Sequence, residues 1–215
     1  MNKTTSLLAA LLLLTGCAWE SGGSTGDAGE PDAQQTDAGG DVQLVYPPPP
    51  YGTAYGETAE NIQVERCICD GDEPQGGEAL ELADYLGAKA VLITVHAGWC
   101  TYCKQQSASM QHDLYEPYHD RGLEIMLVLF QDDRRREDRD LLLDYCCYYK
   151  DHYHMAFDVV IDPGAAATGQ FFRPDEAGTP LNMLLDDEMV IRYKVEGLIP
   201  DSHIIEGNIE GLLGE

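Results

Sequence analysis

Ala90-Val91-Leu92-Ile93-Thr94-Val95, with Trp99-Cys100-Thr101-Tyr102-Cys103 close behind, is the stretch on which the reading of this chain turns. The apolar run is too continuous for anything but a buried strand. Beyond the cysteines, Met110, Leu114 and Tyr118 recur at i, i+4 and i+8, the buried stripe of a helix that ends before Arg121-Gly122. A strand therefore delivers two cysteines, three apart, to the first turn of a helix. Unpaired backbone N–H groups and the positive end of the helix dipole favour a thiolate at Cys100, and Cys103 lies close enough to displace whatever Cys100 attacks. That arrangement suits thiol–disulfide exchange. A bare CxxC also reads as a structural disulfide or as half of a zinc site. Zinc needs two further ligands, and no second CxxC or close His pair follows; His112 and His119 fall on an ordinary surface helix.

Working outward, Asn61 to Cys69 alternates like a strand and runs into a Gly-rich turn from Gly71 to Gly77, and Leu80 to Leu86 reads as a short helical turn. Leu123 to Phe130 is a second buried strand. The mixed-sign run Asp132 to Asp140 reads as a solvated loop, without functional weight, that feeds a helix to about Lys150. Phe157 to Ile161 is a short strand stopped by Asp162-Pro163-Gly164, and Ala165 to Phe171 a helix. Leu181 to Leu185 and Met189 to Val195 form a hairpin about Asp186-Asp187-Glu188, and a helix from Pro200 to Leu213 closes the chain. The order predicts an α/β fold with a mixed central sheet and helices on both faces.

The first residues address the chain. Lys3 precedes the unbroken apolar run Leu7 to Leu14, too short to span a bilayer, and Leu14-Thr15-Gly16-Cys17 follows at once. This resembles the lipobox of bacterial lipoproteins rather than an ordinary cleaved leader, which implies that Cys17 is lipidated after cleavage. Residues 1–16 then form the signal peptide, 17–58 the anchor and tether, and 59–215 the folded domain. Ser21 to Asp41 holds no Lys or Arg and almost nothing apolar, and Pro47 to Pro50 is expected to stiffen the tether as a polyproline II rod. The net charge of −25 speaks against nucleic acid or an anionic lipid surface as partner.

Seven cysteines, less Cys17, Cys100 and Cys103, leave Cys67, Cys69, Cys146 and Cys147. The first two sit i, i+2 on a strand and face one side. The second two are neighbours on a helix, about 100° apart, so that only one readily points at that strand. Three readings stand: one disulfide between strand and helix, a four-cysteine metal site, for which vicinal helical cysteines are poor chelators, and a second redox pair that relays electrons to Cys100. No metal or other cofactor is expected.

Val91 to Cys103, Gly178-Thr179-Pro180 just ahead of Leu181, and the closing hairpin and helix resemble the thioredoxin fold. More closely, they resemble the membrane-tethered, extracytoplasmic thioredoxin-like proteins that include the cytochrome c maturation reductases, over about Ala59 to Leu213. The resemblance implies an N-terminal strand extension, an inserted helix between Leu143 and Phe171, Trp99 beside the reactive pair, a cis Pro180 packed against it, and a Thr179 backbone open to an extended substrate. Relatives carry a buried acid six residues before the first cysteine or three after the second. Thr94 and Gln106 stand there instead, which leaves His96 as the nearest titratable proton acceptor unless it is a packing residue. Thr101-Tyr102 replaces the usual Pro or His, which points to a moderately reducing potential of about −180 to −270 mV.

The expectation is thus an extracytoplasmic thiol–disulfide oxidoreductase that reduces or exchanges disulfides of envelope proteins through Cys100 and Cys103. It would be monomeric, served by an unknown electron donor, and held on a membrane by Cys17 with its domain in the periplasm. Ala18 is compatible with outer-membrane sorting. The alternative is a non-catalytic thioredoxin-fold lipoprotein that binds a partner protein or a soft metal such as copper. A peroxidase would need a lone peroxidatic cysteine with Thr and Arg support rather than a CxxC pair.

Overall fold

Apolar residues fill Ala90 to Val95, with Thr94 the one polar member, because both faces of that strand are covered. The computed structural model describes residues 44–174, 178–199 and 202–214. Its strands are β1 (Gln63–Asp70), β2 (Glu73–Glu81), β3 (Ala90–Ala97), β4 (Leu123–Gln131), β5 (Asp158–Ile161), β6 (Leu181–Asp186) and β7 (Ile191–Glu196). The α-helices are α1 (Thr101–Met110), α2 (Glu116–Tyr118), α3 (Arg139–His152) and α4 (Ser202–Leu213). The seven strands form one sheet in the order β2-β1-β5-β4-β3-β6-β7. β3, β4 and β5 are parallel, and β6, β7, β1 and β2 join antiparallel, so the sheet is mixed as expected. Among the described residues, no helix is long and apolar enough to cross a membrane.

Alternate residues of the central strands enter two cores. Leu92, Ile125 and Leu127 pack with Met110, Leu114, Leu142, Tyr149, Ile205 and Ile209 from the helices. Val91, Ile93, Val95, Met126 and Val128 face the other way, against Ile62, Leu82, Tyr85, Phe171 and Met183. The covering elements on this second face are shorter than the sequence predicts. Leu82–Tyr85 and Thr168–Phe171 are single 3-10 turns, and each lends two buried residues to the core. The π turn Gln111–Tyr115 continues α1 into α2, and Gly122 ends the run in the left-handed region at φ 112°.

Three expectations change. The stretch read as a Gly-rich turn is largely β2, which pairs with β1 from Gln63↔Glu81 to Asp70↔Glu73. Described residues ahead of 59 already pack with the domain. Tyr46 donates its hydroxyl to Ala59 O at 2.9 Å, Lys194 Nζ reaches Thr53 O at 2.7 Å, and Thr58 bridges Val190. Pro47 to Pro50 belongs to this same packed stretch, where Tyr51 Oη donates to Pro47 O at 3.0 Å.

The third change concerns the four remaining cysteines, which form two disulfides rather than one, Cys67–Cys146 and Cys69–Cys147, with Cα separations of 6.4 and 5.5 Å. Vicinal residues on a helix hold their Cβ atoms roughly 5 Å apart and i, i+2 residues on a strand roughly 6.7 Å, a difference that the reach of two disulfides spans, so one helix face can meet both. The pair of bonds straps the β1–β2 hairpin to α3. With all four sulfurs so bonded, a metal site at these cysteines is ruled out.

Candidate active site

The site forms where β3 hands over to α1. Gly98 makes the passage: a Cβ there would stand 2.5 Å from the Tyr145 ring and 2.6 Å from the Asp132 and Asp133 backbone. Only glycine lets the segment after β4 pass so close. Gly98 N–H donates to Gln131 O at 2.8 Å, and the Tyr145 hydroxyl donates to Gly98 O at 3.3 Å.

Cys100 is the N-cap of α1, with extended φ −79° and ψ 119°. Its Sγ accepts the Cys103 N–H at 3.1 Å, the bond by which a capping side chain satisfies an orphan donor of the first turn. This N–H is aimed at the sulfur, and the positive end of the helix dipole lies beside it. Both cysteines are free thiols; Cys100 keeps 5% of its surface open and Cys103 none. Burial, then the neighbouring Cys100, pushes the Cys103 thiol far above its ordinary range. The two sulfurs are thus unequal.

Opposite them stands the turn before β6. The Thr179–Pro180 bond is cis. Cys100 Sγ donates to Thr179 O at 3.4 Å, Cys103 Sγ lies 3.3 Å from Thr179 Oγ1, and Thr179 Oγ1 donates to Val95 O at 3.0 Å. Trp99 shields the other flank, its Nε1–H held by Gln131 Oε1 at 2.8 Å. Tyr102 is 58% exposed at the rim. Trp99, Thr179 and Pro180 therefore gather around the two cysteines.

His96 does not. It is wholly buried beneath the site, and burial lowers its pKa to about 3, so it is neutral at physiological pH and cannot be a base titrating near the ordinary value. Its hydrogen bonds run to Thr94 Oγ1 at 2.8 Å and Ser107 Oγ at 3.2 Å, and Ser107 meets the Tyr149 hydroxyl at 2.7 Å. The β3–β6 register sets Thr94 opposite Asn182. Asn182 and Gln106 exchange amide hydrogen bonds, at 2.6 and 3.2 Å, and Thr94 Oγ1 donates to Asn182 Oδ1 at 2.9 Å. Where relatives place an acid, this chain has a closed neutral network. His96 is a packing residue within it.

Several residues of the site gave no signal in the sequence. Gln131 and Tyr145 lie far from the cysteines along the chain, and Arg135, whose guanidinium rests 3.9 Å over the Trp99 ring, sits in the run read as a solvated loop. His112 and His119 instead meet Glu116 and Glu124, at 3.2 and 3.6 Å. No group of three side chains able to hold a metal occurs among the described residues. Cys17 lies outside the described residues.

Comparison with known proteins places the chain. The AhpC/TSA family model matches residues 55–194. No curated protein matches. Among solved structures, a putative thiol:disulfide interchange protein DsbE from Chlorobium tepidum is similar at a TM-score of 0.59 and 19% identity, over 76% of this chain and 100% of that one. A putative protein disulfide isomerase from Bacteroides thetaiotaomicron gives 0.59 and 19%, over 77% and 93%. An uncharacterized conserved protein from Geobacillus kaustophilus gives 0.60 and 15%, over 75% and 83%. The fold is thioredoxin-like, and the chain belongs to the AhpC/TSA family.

Proposed function

We propose that this member of the AhpC/TSA family is a thiol–disulfide oxidoreductase of the bacterial cell envelope, with Cys100 as nucleophile and Cys103 as resolving cysteine. The observation that carries the reading is the asymmetry of the pair. Cys100 caps α1 and accepts the Cys103 N–H, while burial keeps Cys103 protonated.

The Cys100 thiolate attacks one sulfur of a substrate disulfide. A mixed disulfide forms, and the other substrate sulfur leaves as a thiolate and takes a proton. Cys103 must then lose its proton before it attacks Cys100 Sγ, which releases the second substrate thiol and leaves a Cys100–Cys103 disulfide. Thr179 Oγ1 can turn from Val95 O to donate to the developing Cys103 thiolate, an interaction that lowers the thiol's pKa against the effect of burial. Once Cys100 no longer donates to it, Thr179 O is free to pair with an extended substrate backbone. Two electrons pass to the substrate, and an unidentified donor must return them.

The substrates in this reading are disulfide-bearing envelope proteins. The chain acts as a monomer, anchored through lipidated Cys17, with its domain in the periplasm. The test is capture in the native envelope: Cys103→Ser should hold substrate proteins on Cys100 as reductant-sensitive adducts, and the Cys100→Ser/Cys103→Ser variant should hold none. Equal capture by both would contradict the assignment.

A further inference from the structure

Arg135 stands at the mouth of the dithiol, and the exchange chemistry above makes no use of it. Its backbone lies at φ 65°, a left-handed conformation uncommon for a residue with a long side chain. Asp132 holds the turn. That carboxylate is buried, accepts the N–H groups of Arg134 and Arg136 at 2.8 Å each, and takes Arg136 Nε at 2.5 Å. The Arg135 N–H donates to Asp132 O at 3.2 Å. The ring of bonds neutralises Arg136 and presents Arg134 and Arg135 to solvent, neither with a carboxylate partner among the described residues. The Arg135 guanidinium is fixed 3.9 Å over the indole of Trp99, the residue next to Cys100.

The sign of this charge stands out against the rest of the chain, in which 38 acidic residues face 13 basic ones. At physiological ionic strength charges are screened beyond about 8 Å, so a segment docked on Cys100 feels its immediate surroundings more than the net charge. Two of the acids near the mouth accept hydrogen bonds there. Glu137 accepts from Gln131 at 2.6 Å and Glu196 from the Arg173 and Gly178 backbone at 2.8 and 3.0 Å, while Asp133 is exposed to solvent.

We propose that Arg135, supported by Arg134, selects the substrate: a protein segment with a carboxylate side chain next to the disulfide cysteine that Cys100 attacks. The inference rests on Cys100 as the attacking sulfur. Arg135 exchanges neither proton nor electron. Its charge pairs with the flanking carboxylate in the encounter and in the mixed disulfide, while the substrate S–S bond breaks and the Cys100–substrate bond forms.

Three synthetic peptides test it. Each carries a fluorescent thiol in disulfide linkage to its single cysteine, and they differ only in having Glu, Gln or Lys on both sides of it. Release of the fluorophore by the reduced protein gives the second-order rate constant. Wild type should favour the Glu peptide over the Lys peptide by about threefold to tenfold, the range of one or two exposed ion pairs. Salt near 1 M, where screening acts within about 3 Å, should collapse the ratio. The Arg134→Gln/Arg135→Gln variant should lose the preference, and Arg135→Lys should retain it. Equal wild-type rates on all three peptides, or an Arg134→Gln/Arg135→Gln variant slowed equally on all three, would overturn this inference and leave the exchange reading intact. Failure of wild type to react with any peptide would overturn both.

Discussion

Replacing Cys69 and Cys147 with alanine removes one of the two bonds between β1 and α3, and replacing Cys67 and Cys146 as well removes both. The bonds span sequence separations of 78 and 79 residues, so either alone closes nearly the same loop. In the chain-entropy account, a loop of that length stabilises by about 4.5 kcal/mol. Once one bond is closed, the other adds only a ring of a few residues, worth about 1.5 kcal/mol by the same relation. Deleting one pair should therefore lower Tm by about 3–6 °C, and deleting both by about 12–24 °C, at about 2–4 °C per kcal/mol for a domain of this size. Calorimetry in a Cys100→Ser/Cys103→Ser background, where the reactive pair cannot reshuffle the bonds, reads this directly. If each single deletion instead costs half of the double deletion, the bonds act through native packing and the loop-closure argument fails.

His96 predicts a pH dependence of stability. Its folded pKa, near 3, lies below the unfolded value of about 6.5, so between these the unfolded chain binds more protons and stability falls with falling pH. From pH 7 to pH 5 this contributes a loss of about 2 kcal/mol, seen as a lower urea midpoint, which His96→Phe should abolish; an unchanged slope would show that other groups carry it. The rate of mixed-disulfide resolution should show no inflection near 6.5 in either protein. Gly98→Ala should push Tyr145 and the Asp132–Asp133 backbone away and cost about 1–3 kcal/mol, with a shift in Trp99 fluorescence; wild-type emission and stability would show that the passage tolerates a Cβ. Cys17→Ser should release the protein from membranes and end fatty-acid labelling, and persistent labelling would refute the lipobox reading.

The central strands and the CxxC turn were legible because a continuous apolar run demands cover on both faces and a stripe at i, i+4, i+8 demands a helix. β2 was not: Pro74, Gly76 and Gly77 read as a turn, yet an edge strand tolerates Pro and Gly, and its partner β1 supplies the hydrogen bonds. Residues 44–58 were grouped with the tether because Pro47 to Pro50 breaks any helix or strand pattern, and what ties them down is backbone pairing, as in Ile191 N–H to Glu57 O at 2.9 Å, which composition cannot register. His96 looked titratable because spacing reveals nearness to Cys100 but not burial, and burial decides its charge. The loop after β4 read as solvated because counting charges does not show one carboxylate collecting backbone N–H groups.

The measurement that bears most directly on the unequal dithiol is competitive alkylation of the reduced wild-type protein. With limiting iodoacetamide at neutral pH, peptide mass analysis should find the label on Cys100, with Cys103 modified only after unfolding, because Cys100 caps α1 and Cys103 is buried and held protonated. Labelling of both cysteines at equal rates, or of Cys103 first, would contradict the account.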